Sequence, residues 1–177
     1  MIPLTAMSAS KSDSNLWIAS LAAAIVTAVV AAVMVYTAGM SVVPALFGLL
    51  LGAAPLIGYD LARGSFGSNW KPVIGGIIGF ILFVAALFLP GPTFGIVAAV
   101  AGLLSTLLIW PIVVGVMSPA HSVGKLWLAS LLGLIIGLVV VSAVAGQDPN
   151  SWLKTAGVLF FACWGGTVGA ALSAWSK

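Results

Sequence analysis

Six long apolar runs alternate with short polar or turn-forming breaks along this chain. The runs cover residues 16–38, 42–62, 70–89, 93–117, 124–145 and 151–175. Each approaches the roughly 20 apolar residues that a helix needs to cross a hydrocarbon core. The pattern predicts an all-α, polytopic membrane protein with six transmembrane helices and a polar segment over residues 1–15.

The breaks fall into two kinds. Those after the first, third and fifth runs are tight: Thr37-Ala38-Gly39-Met40-Ser41, Pro90-Gly91-Pro92 and Gly146-Gln147-Asp148-Pro149-Asn150. Gly, Pro, Asp and Asn are turn formers, each for its own steric or hydrogen-bonding reason. The runs therefore pair into three hairpins, 16–62, 70–117 and 124–175. Trp17, Trp70 and Trp127 open them, and Leu16-Trp17-Ile18-Ala19-Ser20-Leu21 returns as Leu126-Trp127-Leu128-Ala129-Ser130-Leu131. Gly48, Gly102 and Gly157 follow at similar distances, and Pro55, Pro111 and Gly165-Gly166 interrupt each second helix. The same order of Trp, turn and breaker predicts one hairpin unit in three copies.

Composition agrees with lipid as the main solvent. Charged residues make up 5 % of the chain and hydrophobic ones 62 %, against about 25 % charged in a soluble domain. The first run is longer than the roughly 7–15 residues of a signal-peptide core, so it reads as a retained helix. Six basic and three acidic groups give a formal charge of +3. They are too few and too scattered for a nucleic-acid footprint. Lys11, Arg63, Lys71, Lys125 and Lys177 fall on one side of a six-span topology, and Lys154 on the other. The excess of basic residues predicts an inner-membrane protein with both termini in the cytoplasm. Trp17, Trp70 and Trp127 then form an interfacial belt on that side, with Trp152 on the opposite one.

Small residues mark helix contacts in lipid. Gly48/Gly52, Gly75/Gly79, Gly133/Gly137 and Gly165/Gly169 are such pairs, and the first span uses alanines instead. They predict packing within the bundle, with surface left over for self-association. Pro55 and Pro111 each remove a helix hydrogen bond and predict kinks.

Groups able to do chemistry are scarce. Asp60 and Arg63, three residues apart in Gly58-Tyr59-Asp60-Leu61-Ala62-Arg63, can meet on one helical face and form the candidate binding pair. Lys154 can snorkel from the start of the last helix. His121 is the one histidine and Cys163 the one cysteine. A protein-only metal site and a disulfide therefore lack their ligands and partner. No nucleophile–base set, phosphate loop or dinucleotide fingerprint is present, and the sequence does not identify a cofactor.

The stretch Trp70-Lys71-Pro72-Val73-Ile74-Gly75-Gly76-Ile77-Ile78-Gly79, continuing to Leu89-Pro90-Gly91-Pro92-Thr93, resembles the repeat unit of the HdeD-like small bacterial membrane proteins. The first and third units match more loosely, and this chain carries fewer Arg residues between units. The resemblance implies six membrane helices built from repeated hairpins and supplies no catalytic residues. The sequence thus leads to a non-enzymatic protein whose surroundings are the lipid bilayer, acting as a structural or accessory subunit with copies of itself or other membrane subunits. Two alternatives remain open at this point. One is a small-solute transporter or its substrate-binding component. The other is a pigment- or lipid-binding subunit of an energy-converting complex.

Overall fold

The computed structural model describes residues 4–37, 42–89, 91–118, 120–144 and 149–175. Residues 38–41, Pro90, residues 145–148 and Lys177 lie outside the described residues, as do the side chains of Lys11 and Trp152. Most of the three tight connections falls there.

The described chain is helical, with no strand. Its elements are α1 Leu4–Tyr36, α2 Val43–Arg63, α3 Lys71–Gly79, α4 Ile81–Leu87, α5 Phe94–Leu104, a π-helical turn Ser105–Ile109, α6 Trp110–Met117, α7 Val123–Val144 and α8 Pro149–Trp175. Five stretches are long and apolar enough to cross a membrane: Asn15–Tyr36, Val43–Arg63, Gly95–Met117, Val123–Val144 and Lys154–Trp175.

Two boundaries differ from expectation. The helix begins at Leu4, so part of the polar leading segment extends α1. The expected span 70–89 is instead the shorter apolar stretch Lys71–Leu87, divided at Phe80. At about 1.5 Å per residue this stretch is several ångströms short of a hydrocarbon core about 30 Å thick. At Phe80 φ is −103° and ψ 5°, outside helical values, and its N–H bonds back to Ile77 O at 3.1 Å. Gly75, Gly76 and Gly79 weaken the helix before that point. The break seats the Phe80 ring in the interior with no exposure.

The helices form a closed ring. α1 packs on α2 and α8, α2 on α3, α3 on α6, α6 on α7, and α7 on α8, while α4 packs on α5. The glycine pairs set the helix spacing. Gly52 and Gly76 face one another so closely that a Cβ on either collides with the other's backbone. A Cβ at Gly79 would stand 2.7 Å from Trp110 Cα, and one at Gly133 2.9 Å from Trp164 Cα. Gly165 abuts Thr27, and Gly169 abuts Ala19 and Ala23. These motifs therefore serve contacts inside the chain.

An aromatic cluster fills the middle of the ring. Trp110 and Trp164 are both 0 % exposed, with ring centroids 5.2 Å apart at 71°. Phe80 lies 5.7 Å from the Trp164 ring and Phe161 6.4 Å from it. The Trp110–Trp164 and Phe161–Trp164 contacts are edge to face, which suits the aromatic quadrupole, and the Phe80 ring is tilted on Trp164.

Both indole N–H groups are hydrogen-bonded to neighbouring helices. Trp110 Nε1 donates to Gly52 O at 2.7 Å, one turn before the buried Pro55 of α2. Trp164 Nε1 donates to Ser130 Oγ at 2.8 Å, and Ser130 Oγ donates to Thr106 O at 2.6 Å. Thr106 lies in the π turn that precedes Pro111. That turn runs i to i−5, as in Trp110 N–H to Ser105 O. In this register the donor for Thr106 O would be residue 111, a proline without N–H. The Ser130 hydroxyl replaces it. The kink expected at Pro111 thus takes the form of a π turn. One sequence offset relates the two arrangements: Trp110 to Trp164, Gly52 to Thr106, Gly76 to Ser130 and Gly79 to Gly133 are equally spaced.

Two stability measurements follow, both by thermal unfolding in mild detergent. Ser130→Ala leaves Trp164 N–H and Thr106 O without partners and is expected to cost about 1–3 kcal/mol or more. Gly52→Ala drives a methyl into the Gly76 backbone, with an expected cost of about 1–3 kcal/mol. Gly95→Ala, where a Cβ meets open space, is the matched control and should leave Tm nearly unchanged.

Candidate functional site

The candidate pair sits where α2 ends. Gly64 stops the helix by taking φ 66°, a left-handed conformation that glycine adopts without strain. Its N–H bonds to Leu61 O at 3.2 Å, and Ser65 N–H bonds to Asp60 O at 3.0 Å. Together these form a Schellman cap. The Ser65 hydroxyl also reaches Asp60, donating toward its carboxylate Oδ1 at 3.3 Å. The cap thus fixes Asp60, and Arg63 follows one turn later, close enough for the two charges to interact. A cation in the last turn also complements the helix dipole.

Arg63 turns back along its own helix. Nη1 donates to the Tyr59 hydroxyl, and the guanidinium carbon lies 5.4 Å from the Tyr59 ring centroid. Tyr59 is buried. Its ring meets the His121 imidazole edge to face, with centroids 6.4 Å apart. This contact joins the end of α2 to the connection between α6 and α7. His121 N–H bonds to Ser118 O at 3.0 Å. Ser122 then caps α7, its hydroxyl oxygen accepting the Lys125 backbone N–H at 3.3 Å.

The structure therefore brings Asp60 and Arg63 together and adds Tyr59, His121 and Lys125. The last three were not apparent as a group in the sequence, because helix periodicity places Tyr59 beside Arg63 but says nothing of a loop dozens of residues away. Burial lowers the His121 pKa below its ordinary 6.5, and the positive charges of Arg63 and Lys125 lower it further. The group offers cations, a phenol and an imidazole at one end of the bundle, suited to holding an anion. Among the described residues, no three His, Cys, Asp or Glu side chains are grouped to hold a metal ion.

Other sequence-highlighted residues lie elsewhere. Cys163 is a free thiol, partly buried on α8. Lys154 places Nζ 5.7 Å from the Tyr36 ring centroid. Trp17, Trp70 and Trp127 are exposed, and Trp70 stacks edge to face on Phe66 at 5.3 Å. The central pair Trp110 and Trp164 did have a sequence signal: each stands directly before a helix breaker, Pro111 or Gly165.

The lowered His121 pKa has a defined consequence for stability. The unfolded chain binds the His121 proton more readily than the folded one. The contribution is thus complete above the unfolded pKa and is lost as pH falls through the folded one. Tm in detergent should decline as the pH is taken from about 7.5 to about 5.5, and His121→Gln should flatten that decline. An unchanged slope in His121→Gln would assign the pH response to another group. Compared with known protein families, curated proteins and solved structures, the chain has no match.

Proposed function

We propose that this chain is a non-enzymatic inner-membrane protein with both termini in the cytoplasm, acting as a structural or accessory subunit of a homo-oligomer or larger membrane complex. The observation that carries this reading is the filled centre of the ring. Trp110, Trp164 and Phe80 occupy it without exposure, and both indole N–H groups are already bonded within the chain. A solute passing through the centre would have to displace aromatic rings and break those bonds, so the filled centre favours the subunit reading over transport. Function then resides on the outside of the bundle.

A three-hairpin organisation is part of this proposal. The common offset linking Trp110, Gly52, Gly76 and Gly79 to Trp164, Thr106, Ser130 and Gly133 is what two copies of one unit would produce. Gly76 leaves room for a direct bond from Trp110 to Gly52 O, whereas Ser130 interposes its hydroxyl between Trp164 and Thr106 O. This organisation and the Trp70–Thr93 motif are the grounds for a relationship with the HdeD-like proteins.

A lateral contact has a candidate location. Most of the predicted glycine pairs are engaged inside the chain, but Gly95 and Ala99 lie one turn apart on the exposed side of α5, with open space at Gly95. Native mass spectrometry after mild extraction from the source membrane should detect a defined oligomer or additional chains. Gly95→Leu should reduce that assembly without lowering Tm. A wild-type monomer retained across mild detergents and in nanodiscs would refute the subunit reading.

A further inference from the structure

The Arg63 end of the bundle combines positive charge with a route for an apolar chain. Arg63 lies over Tyr59 at the end of α2, and Tyr59 contacts His121. Arg63 and Lys125 both act electrostatically on His121 from different helices. Asp60 is the acidic group beside them, and its carboxylate accepts from Ser65. Positive potential therefore gathers where α2, the α6–α7 connection and α7 meet. Below Lys125, residues Leu128, Leu132 and Ile136 follow at three-, seven- and eleven-residue steps, the spacing of one helix face. All three are exposed. Phe66 and Trp70, also exposed, form an aromatic pair on the neighbouring connection, the residue type that favours a membrane–water boundary.

We propose that Arg63, His121 and Lys125 hold the phosphate of an anionic phospholipid, with an acyl chain lying along Leu128, Leu132 and Ile136 of α7. Charge complementarity selects the anion. The apolar track beneath the cations selects a lipid over a free phosphate. A guanidinium carries five N–H donors in a planar fork, so bonding to Tyr59 is compatible with recognition of phosphate. Basic groups between helices at a membrane surface are a general means of retaining anionic headgroups. The site does not depend on the oligomeric state of the protein.

The single histidine makes the test direct. Protein carrying a tag without histidine, in a neutral detergent, is titrated with dioleoylphosphatidylglycerol, dioleoylphosphatidylcholine or inorganic phosphate. The His121 imidazole is followed by NMR. Phosphatidylglycerol should give a saturable change at one lipid per chain and raise the His121 titration midpoint by adding a nearby negative charge. Phosphatidylcholine should bind at least about tenfold more weakly, because its headgroup cation opposes the site. Inorganic phosphate should also bind more weakly, lacking the α7 contact. Lys125→Gln keeps the helix cap, which uses the backbone N–H, and should weaken phosphatidylglycerol binding about tenfold. Arg63→Gln should do the same, and Leu132→Ser should weaken the lipid without affecting phosphate. Equal binding of the two lipids, equal binding of free phosphate, or wild-type affinity in folded Arg63→Gln/Lys125→Gln would overturn the proposal.

Discussion

In a bilayer, a backbone carbonyl that loses its donor has no water to turn to. Each such group costs several kcal/mol unless the protein supplies another partner. Pro111 creates this condition at Thr106 O in the π turn, and the neighbouring interior meets it. Ser130 donates to Thr106 O, whose donor in the π register would be Pro111, and Trp110 adds a bond across the interior to Gly52 O of α2. Neither bond can form unless the helices approach closely. Gly52 opposite Gly76, Gly79 against Trp110 and Gly133 against Trp164 permit that approach. The glycines, the buried indoles and Pro111 thus act together: Pro111 frees the Thr106 carbonyl, the glycines bring the helices together, and Ser130 and the indoles bond across the contact.

This arrangement limits where function can lie. A centre filled by mutually contacting aromatic rings has little capacity for water or ions, and its polar atoms are largely bonded within the chain. Ser105 Oγ is the buried side-chain oxygen without a partner among the described residues. It sits on the π turn, where the helix changes register between α5 and α6. Among the described side chains, the charged residues Asp60, Arg63, Lys71, Lys125 and Lys154 lie near helix ends, where a boundary with headgroups and water can solvate them.

The helical spans were legible because length and apolar composition are direct consequences of bilayer thickness. The third was harder to read. Trp70 and the apolar residues before Pro90 extend the run in composition, but the glycines of α3 and the turn at Phe80 shorten the actual helix. Asp60 and Arg63 were legible as neighbours because helical spacing puts them together. Their connection to His121 was not, since a contact between α2 and the α6–α7 connection leaves no local pattern. The functions of the seven tryptophans also diverge in a way composition conceals. Trp17, Trp70 and Trp127 are exposed, whereas Trp110 and Trp164 use the same amphipathic ring to carry a hydrogen-bond donor into the interior.

The two tyrosines show how so few charges are accommodated at the boundaries. The chain has only two, and each carries a cation over its ring: Arg63 at 5.4 Å on Tyr59 and Lys154 at 5.7 Å on Tyr36. Tyr36 ends α1 and Tyr59 lies near the end of α2, so the antiparallel pairing of these helices places the two contacts at opposite ends of the bundle. A cation over an aromatic face gains about 0.5–1 kcal/mol when exposed and about 2 or more when desolvated. That gain depends on keeping the charged head close to the ring, which restrains a long side chain that would otherwise sweep along the lipid boundary. At the Lys154 end the restraint acts on a single cation. At the Arg63 end, Tyr59 also touches His121, and so the same ring couples the position of a cation to the connection that leads into Lys125 and α7. The asymmetry between the two ends comes from this second contact, and it is what turns a boundary anchor into a candidate recognition site.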